Sequence, residues 1–381
     1  MKKTLIALAS LAAMGSAAAA NVELYGTVDT YVAINKNQGE NASVALNSGA
    51  ASASFWGLKG TEEISQNMQV MFKLEGAFHS DTGTFPAGSN GLFTRECWVG
   101  IHHNDYGLLS VGRQYTPHFL VFAITDPTDL SLGSSHSPYF FPMPTGVNGD
   151  AGDNLVRHDN SVMYVSPTIA GFTGFAYVAL GETTKNDGKE KSSSKQNVYN
   201  VAVNYGNGPF FAMASYLYQD YRGTTTGKGY VLDGSRDPST VQGRTSKHGQ
   251  YINVAASYDF GFTKPSVLFM KKIGDNKAPA TSPNFWIAQI GTATPCFGGR
   301  WSVSAAMLHN QSQDDANAWS LGTRFDYPLS KRTKVYVGAE FVKNDKNTRY
   351  SVEAGPDSTL HFTNSNGKNQ GQFFFGINHK F

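Results

Sequence analysis

The sequence predicts an all-β protein, a closed barrel of sixteen antiparallel strands that crosses a membrane. Three observations carry this. Apolar and polar residues alternate with period two through most of the chain, as in strands whose two faces have unlike surroundings. The connections between these stretches alternate short and long, the asymmetry of a barrel with tight turns at one rim and open loops at the other. Beyond residue 20 no apolar run reaches the length of a spanning helix, although the chain holds 25 Phe and 18 Tyr and only 16% charged residues. A mean hydropathy of −0.32 suits strands that offer one face alone to lipid.

MKKTLIALASLAAMGSAAAAN opens the chain. Lys2 and Lys3, an apolar stretch from Leu5 to Met14 and the small residues Ala17 to Ala20 predict a secretory signal peptide over 1–20, cut after Ala20. The apolar run is well short of the ~20 residues that an anchor needs. Loss of Lys2 and Lys3 from the 31 Lys and Arg leaves a number equal to the 29 Asp and Glu, so residues 21–381 are formally neutral. This argues against a nucleic-acid binder, which would be basic. Cys97 and Cys296 are too few for a disulfide framework. No CxxC, HExxH, GxSxG or Walker-type loop appears. His102 and His103 are neighbours, face opposite sides of a strand and make a poor metal site. No cofactor is expected.

The strands follow in order. Val22 to Ile34 alternates Val22, Leu24, Gly26, Val28 and Val32 against Glu23, Tyr25, Thr27, Asp29 and Tyr31. Ser54 to Glu63 follows a polar loop, and Ser65-Gln66-Asn67 turns the chain into MQVMFKLEGAFH. LFTRECWVGIHH (92–103) and LLSVGRQYT (108–116) flank the turn signal Asn104-Asp105-Tyr106-Gly107. The rhythm then breaks from Pro117 to Val156. A connection of that length in a compact fold is functional or disordered. This one holds HFLVFAIT (118–125), apolar enough for a short helix, which Asp126-Pro127 would end.

Alternation resumes with HDNSVMYV (158–165) and FTGFAYVAL (172–180), and after a charged loop with NVYNVAVNY and PFFAMASYLYQDY across Gly206-Asn207-Gly208. YINVAASYDF, TKPSVLFMKK, NFWIAQIGT, RWSVSAAMLHN, AWSLGTRFDY and TKVYVGAEFV continue the series. The last strand, GQFFFGINHKF, sets Phe373, Phe375, Ile377, His379 and Phe381 on one face and Gln372, Phe374, Gly376, Asn378 and Lys380 on the other. A closed barrel pairs its last strand with its first and leaves no free edge. Phe381 is then expected in a lipid-facing aromatic girdle.

VELYGTVDTYV, FWGLKGTEEI (55–64), TRECWVG (94–100), SVGRQYTP (110–117), RHDNSVMYVSPTIAGF (157–172) and the terminal GINHKF together resemble the general porins of β-proteobacteria. The resemblance spans nearly all of 21–381. It implies a homotrimer in the outer membrane of a Gram-negative bacterium, in contact with lipid and open to small hydrophilic solutes and ions. It implies that the third external loop, 117–156, folds inward and narrows the pore. It also makes Phe381 the expected signal for barrel assembly.

The same resemblance implies that arginines on the wall face acidic or polar groups on the loop. The matching residues are Arg95 in TRECWVG and Arg157 in RHDNSV, with Asp126 on the loop; Arg113 stands where the chain enters the loop and either faces the pore or braces it. Lys59, Lys73 and Arg324 are further lumen candidates. Phe55 occupies a position where some relatives carry an arginine, which weakens the expectation of strong anion selectivity. The residues themselves point the same way, because an arginine facing lipid at the midplane costs roughly 2–4 kcal/mol. Two other readings remain at this point. Phe119, Phe122, Tyr139, Phe140 and Phe141 could form an aromatic slide for sugars. A barrel hydrolase would need a local catalytic set, and His136, His158, His248 and His309 are scattered.

Overall fold

The computed structural model describes residues 21–86, 91–140, 155–181, 197–220, 248–274, 284–352 and 364–381. The predicted signal peptide lies outside them. The N-terminal strands are β1 (Asn21–Asn37), β2 (Ser43–Ser48), β3 (Phe55–Ser65), β4 (Met68–Ala77), β5 (Glu96–His103) and β6 (Gly107–Tyr115). Two helices follow, α1 (Pro117–Thr125) and α2 (Ser137–Phe140). The chain continues through β7 (Arg157–Val165), β8 (Phe172–Ala179), β9 (Val198–Asn207), β10 (Phe210–Asp220), β11 (His248–Tyr258) and β12 (Lys264–Ile273). It closes with β13 (Phe285–Cys296), β14 (Gly299–Asn310), β15 (Ala318–Pro328), β16 (Thr333–Asn344) and β17 (Gln370–Lys380).

Sixteen of these strands form one closed antiparallel ring, each paired with its neighbours in sequence, and β17 returns to β1 from Thr27↔Lys380 to Asn37↔Gln370. β2 is additional to the ring. The first half of β1 pairs with β3, from Asn21↔Thr61 to Thr27↔Phe55, and its second half pairs with β2, from Thr30↔Ser48 to Asn35↔Ser43. β1 is longer than its alternation suggested, and the overhang is what β2 covers.

The faces are those of a membrane barrel. Phe373, Phe375 and Ile377 of β17 are exposed outward, as are Val99 and Ile101 of β5 and Val201 and Val203 of β9. Gln370, Gln372 and Asn378 are buried within the barrel. No helix of the described residues is long and apolar enough to cross a membrane. At the seam Phe381 N–H donates to Gly26 O at 3.0 Å and Gly26 N–H to Phe381 O at 3.2 Å. The Phe381 ring lies over Gly26, where an added Cβ would sit 2.5 Å from it. Inside the same seam Asp29 accepts from Tyr336 Oη at 2.7 Å, Asn378 Nδ2 at 2.7 Å and Ala50 N–H at 2.8 Å.

The densest packing lies inside the ring, between the wall and the loop after β6. Thr116 caps α1, its Oγ1 accepting from Phe119 N–H at 3.1 Å, and the helix ends before Asp126-Pro127. Val121, Phe122 and Tyr139 are buried against Leu217, Tyr251, Met270, Phe285, Ile287 and Leu308 of the wall. The following stretch, 127–135, is laid along β13–β16. It needs a flat berth, and two wall glycines provide it. A Cβ on Gly291 would meet Pro127 Cγ at 2.5 Å, and one on Gly322 would meet Gly133 O at 2.3 Å. The loop after β16 leans onto the first, Tyr350 packing edge-on against Tyr139 at 5.3 Å.

Candidate functional site

The loop covers the inner faces of β8–β16 and leaves β3–β5 open, so the site is built between them. Along β3 and β4 the inward parity of Gly57 and Glu75 places Lys59 and Lys73 directly opposite one another on the lumen side. Lys59 pairs with Glu23 at 3.1 Å and lies 4.8 Å over the Tyr25 ring. Lys73 sits between Glu75, at 2.9 Å, and Glu96. Tyr25 Oη donates to the other oxygen of Glu75 than Arg95 contacts, at 2.7 Å.

Arg95 stands one residue before β5. Its Nε is 3.3 Å from Glu75 Oε2, its Nη2 donates to Tyr115 Oη at 2.8 Å, and its guanidinium covers the Phe55 ring at 4.8 Å. Arg157, the first residue of β7, lies 5.0 Å over the Tyr115 ring, and that ring stacks at 4.8 Å on Phe119 of α1. The two arginines matched by resemblance therefore converge on one tyrosine at the loop's entrance. Both are held by aromatic faces, a weakly hydrating setting that favours guanidinium over ammonium.

Three expectations need correction. Asp126 is on the loop but does not face the wall arginines. It is buried and accepts from Thr128 N–H (2.8 Å), Thr128 Oγ1 (2.8 Å), Leu130 N–H (3.1 Å), Ser134 Oγ (2.6 Å) and Gln289 Nε2 of β13 (2.8 Å). A short carboxylate after a helix end is well placed to accept from the next turn's N–H groups, and that local use has won. Arg113 is on the outer face. Ser110 and Gln114 bond each other inside, so the residue between Gly112 and Gln114 points the other way; it donates to Thr94 O at 2.8 Å and to Asp159 Oδ1 at 2.8 Å. Arg324 points inward but is buried under the loop, donating to Ser131 Oγ, to Leu132 O at 2.8 Å, and to Asp326 at 2.9 and 3.1 Å.

The opposed loop–wall pair does exist, with other residues. Asp129, at the loop's tip, meets Arg300 of β14 at 3.4 Å, and Arg300 also donates to Pro127 O. Asp129 and Leu130 both take left-handed backbone, φ 60° and 51°, so the tip is a tight turn held by the Asp126 carboxylate and Arg324. Alternation alone could have found Arg300, since it shares the inward parity of Ser302 and Ser304. The aromatic slide is absent among the described residues: Phe122 and Tyr139 are buried, and Phe119 is spent on Tyr115. Phe141 and the side chain of Phe140 lie outside the described residues. The described residues hold no group of three or more His, Cys, Asp or Glu that could bind a metal, and Cys97 and Cys296 are free thiols.

A ring of strands with an apolar outside, a charged inside and a loop folded into its bore defines a channel of the bacterial outer membrane. The chain belongs to the Gram-negative porin family, whose model matches residues 5–347. It is similar to an outer membrane porin of Bordetella pertussis, 30% identical over 90% of this chain and 95% of that one. It is also similar to outer membrane porin protein 32 of Delftia acidovorans, 30% identical over 93% of each. The fold resembles that of the anion-selective porin from Comamonas acidovorans, with a TM-score of 0.78, 23% identity and coverage of 95% and 100%. This protein is thus an outer-membrane porin, a water-filled β-barrel channel.

Proposed function

We propose that the channel passes small hydrophilic solutes and ions by passive diffusion, with a mild preference for anions and no catalysed step. The observation that carries this is the fate of the acids. Asp126 is withdrawn into the loop's own hydrogen bonds, and Asp129 is matched by Arg300. Away from Glu63, which shares their parity beside the turn after β3, the open wall carries Lys59, Lys73, Arg95 and Arg157 against Glu23, Glu75 and Glu96, one acid fewer. A low-dielectric wall focuses even a small excess of charge onto the path. Phe55, under Arg95, adds no charge, which keeps the preference mild. The name of the Comamonas porin, anion-selective, agrees with this reading.

We further propose that residues 1–20 are removed on export and that the barrel works as a homotrimer. A structurally similar Vibrio cholerae protein, OmpT, is described in a trimer form at a TM-score of 0.64.

The test is the reversal potential across a salt gradient. Replacing Arg95 and Arg157 together by Gln is expected to move it towards cations at 0.1 M salt. The shift should shrink at 1 M, where the screening length falls from ~10 Å to ~3 Å. Conductance should change less than selectivity, because glutamine and arginine differ more in charge than in bulk. An unmoved reversal potential at 0.1 M would transfer the selectivity to Lys59, Lys73 or Arg300.

A further inference from the structure

Two histidines of the inward loop, His118 in α1 and His136 ahead of α2, are fully buried and take no part in the permeation path. They flank one ring: Phe122 meets His118 edge-on at 5.5 Å and His136 at 4.7 Å. His118 is where α1 is fastened to the wall. Its N–H donates to Asn200 Oδ1 of β9 at 2.7 Å, its carbonyl accepts from Asn253 Nδ2 of β11 at 3.3 Å, and its Nδ1 lies 3.0 Å from Ser215 Oγ of β10. Its Nε2 has no hydrogen-bond partner among the described residues. A neutral imidazole fits such a place. An imidazolium does not, because it needs two acceptors and a counter-charge.

The surroundings supply little of either. Tyr177 of β8, Tyr251 of β11 and Lys272 of β12 are the titratable groups that the walls behind α1 turn inward. Lys272 lies 5.4 Å over the Tyr251 ring, and that ring is 5.8 Å from His118. β9 and β10 face α1 with Asn200, Ser215 and Leu217, none of which titrates. On the side of His136, Arg324 of β15 and Glu340 of β16 are engaged with residues 128–133, and Asp126 is the acid that favours its charge.

We propose that His118 and His136 form an acid-released latch: protonation detaches α1 from the wall, and the loop moves into the lumen and narrows the pore. The direction follows from the geometry. The barrel wall closes off every outward path, so a released α1 can travel only inward.

The sign of the pH effect agrees. Burial holds His118 at about 3 and His136 at about 4, below the ordinary 6.5. A lowered histidine supports the latched state fully above pH 6.5, and that support is lost as the pH falls from 6.5 towards 4. At pH 4.5 ionisation of His118 alone would raise the ratio of released to latched loop by up to about a hundredfold.

The experiment uses the full-length protein with Cys97→Ser and Cys296→Ser, and Val121→Cys as a reporter on the buried face of α1. Wild-type single-channel conductance is expected to fall between pH 7 and pH 4.5, and Cys at 121 to become open to a thiol reagent over the same range. In the His118→Phe, His136→Phe variant both responses should vanish while conductance at pH 7 is unchanged. Should that variant fail to insert, His118→Asn with His136→Asn serves instead, since neither side chain titrates. An acid response retained in the non-titrating variant would overturn the latch and place the effect on carboxylates such as Glu75 and Glu96. So would a reporter labelled no more at pH 4.5 than in the variant.

Discussion

Asp126 shows how one carboxylate can be worth more to a loop than to a pore. It takes five hydrogen bonds, four from its own loop and one from Gln289 across the barrel. Truncation to Ala would orphan several buried donors, at about 1–3 kcal/mol for each one left unpaired. Asp126→Ala is therefore expected to loosen residues 127–135 while the barrel stays closed. Open-channel noise and protease cleavage within 117–156 would both rise, and Asp126→Asn would do less. A quiet channel at wild-type conductance would contradict this. Such a role was not legible in the sequence. Alternation tells which wall residues turn inward, and Lys59, Lys73 and Arg324 all lie on that face of their strands. It cannot tell which of them another segment will cover. Arg324 and Lys73 read alike as inward strand cations, yet one is sealed under the loop and the other stays open to the lumen. Arg113 was misjudged for a different reason: the resemblance matched it by its place at the loop's entrance, whereas the alternation of Ser110, Gly112 and Gln114 turns it outward.

At the scale of elements the berth of the loop depends on missing side chains. Gly291 and Gly322 lie where the loop backbone touches the wall. Gly322→Val would drive its side chain into Gly133 and lift the tip from β15. The strand should survive, since valine favours extended backbone. The expected outcome is a normally inserted barrel whose conductance departs from wild type by more than that of Gly206→Val, near a rim turn where a Cβ meets almost nothing. Equal conductance of the two variants would refute the berth. The ring strands and α1 were readable because their patterns are local: period two, turn residues and the Asp126-Pro127 stop. β2 was not. Ser43 to Ser48 offers one exposed pair, Val44 and Leu46, and becomes a strand only because β1 overhangs β3. That is a property of two other elements.

For the whole molecule the decisive joint is the seam between β1 and β17. Phe381 contributes two backbone bonds and a ring seated on Gly26, and Asn378 reaches Asp29 and, at 3.0 Å, Ser52. Asn378 faces the lumen, as its parity suggested, and helps to close the seam. Deletion of Phe381 is expected to lower the yield of folded barrels in the outer membrane severalfold. His379→Ala, outward-facing with its side chain 2.9 Å from Thr333 Oγ1, should leave it near wild type. Equal yields would remove Phe381 from both closure and recognition.

β1 has three strand partners, and they come from far apart in the chain: β2 and β3 nearby, β17 more than three hundred residues on. During synthesis the near partners are available almost at once, whereas the far one arrives last. Until then the growing sheet keeps two open edges, one of them along β1, rich in valine and ready to join any strand it meets. The interval is set by the rate at which the intervening chain is made and exported, not by the stability of the finished barrel. The edge along β1 is therefore the one that needs cover until β17 pairs with it. Slowing translation near the 3′ end of the message should promote aggregation more than any mild loss of folded stability would.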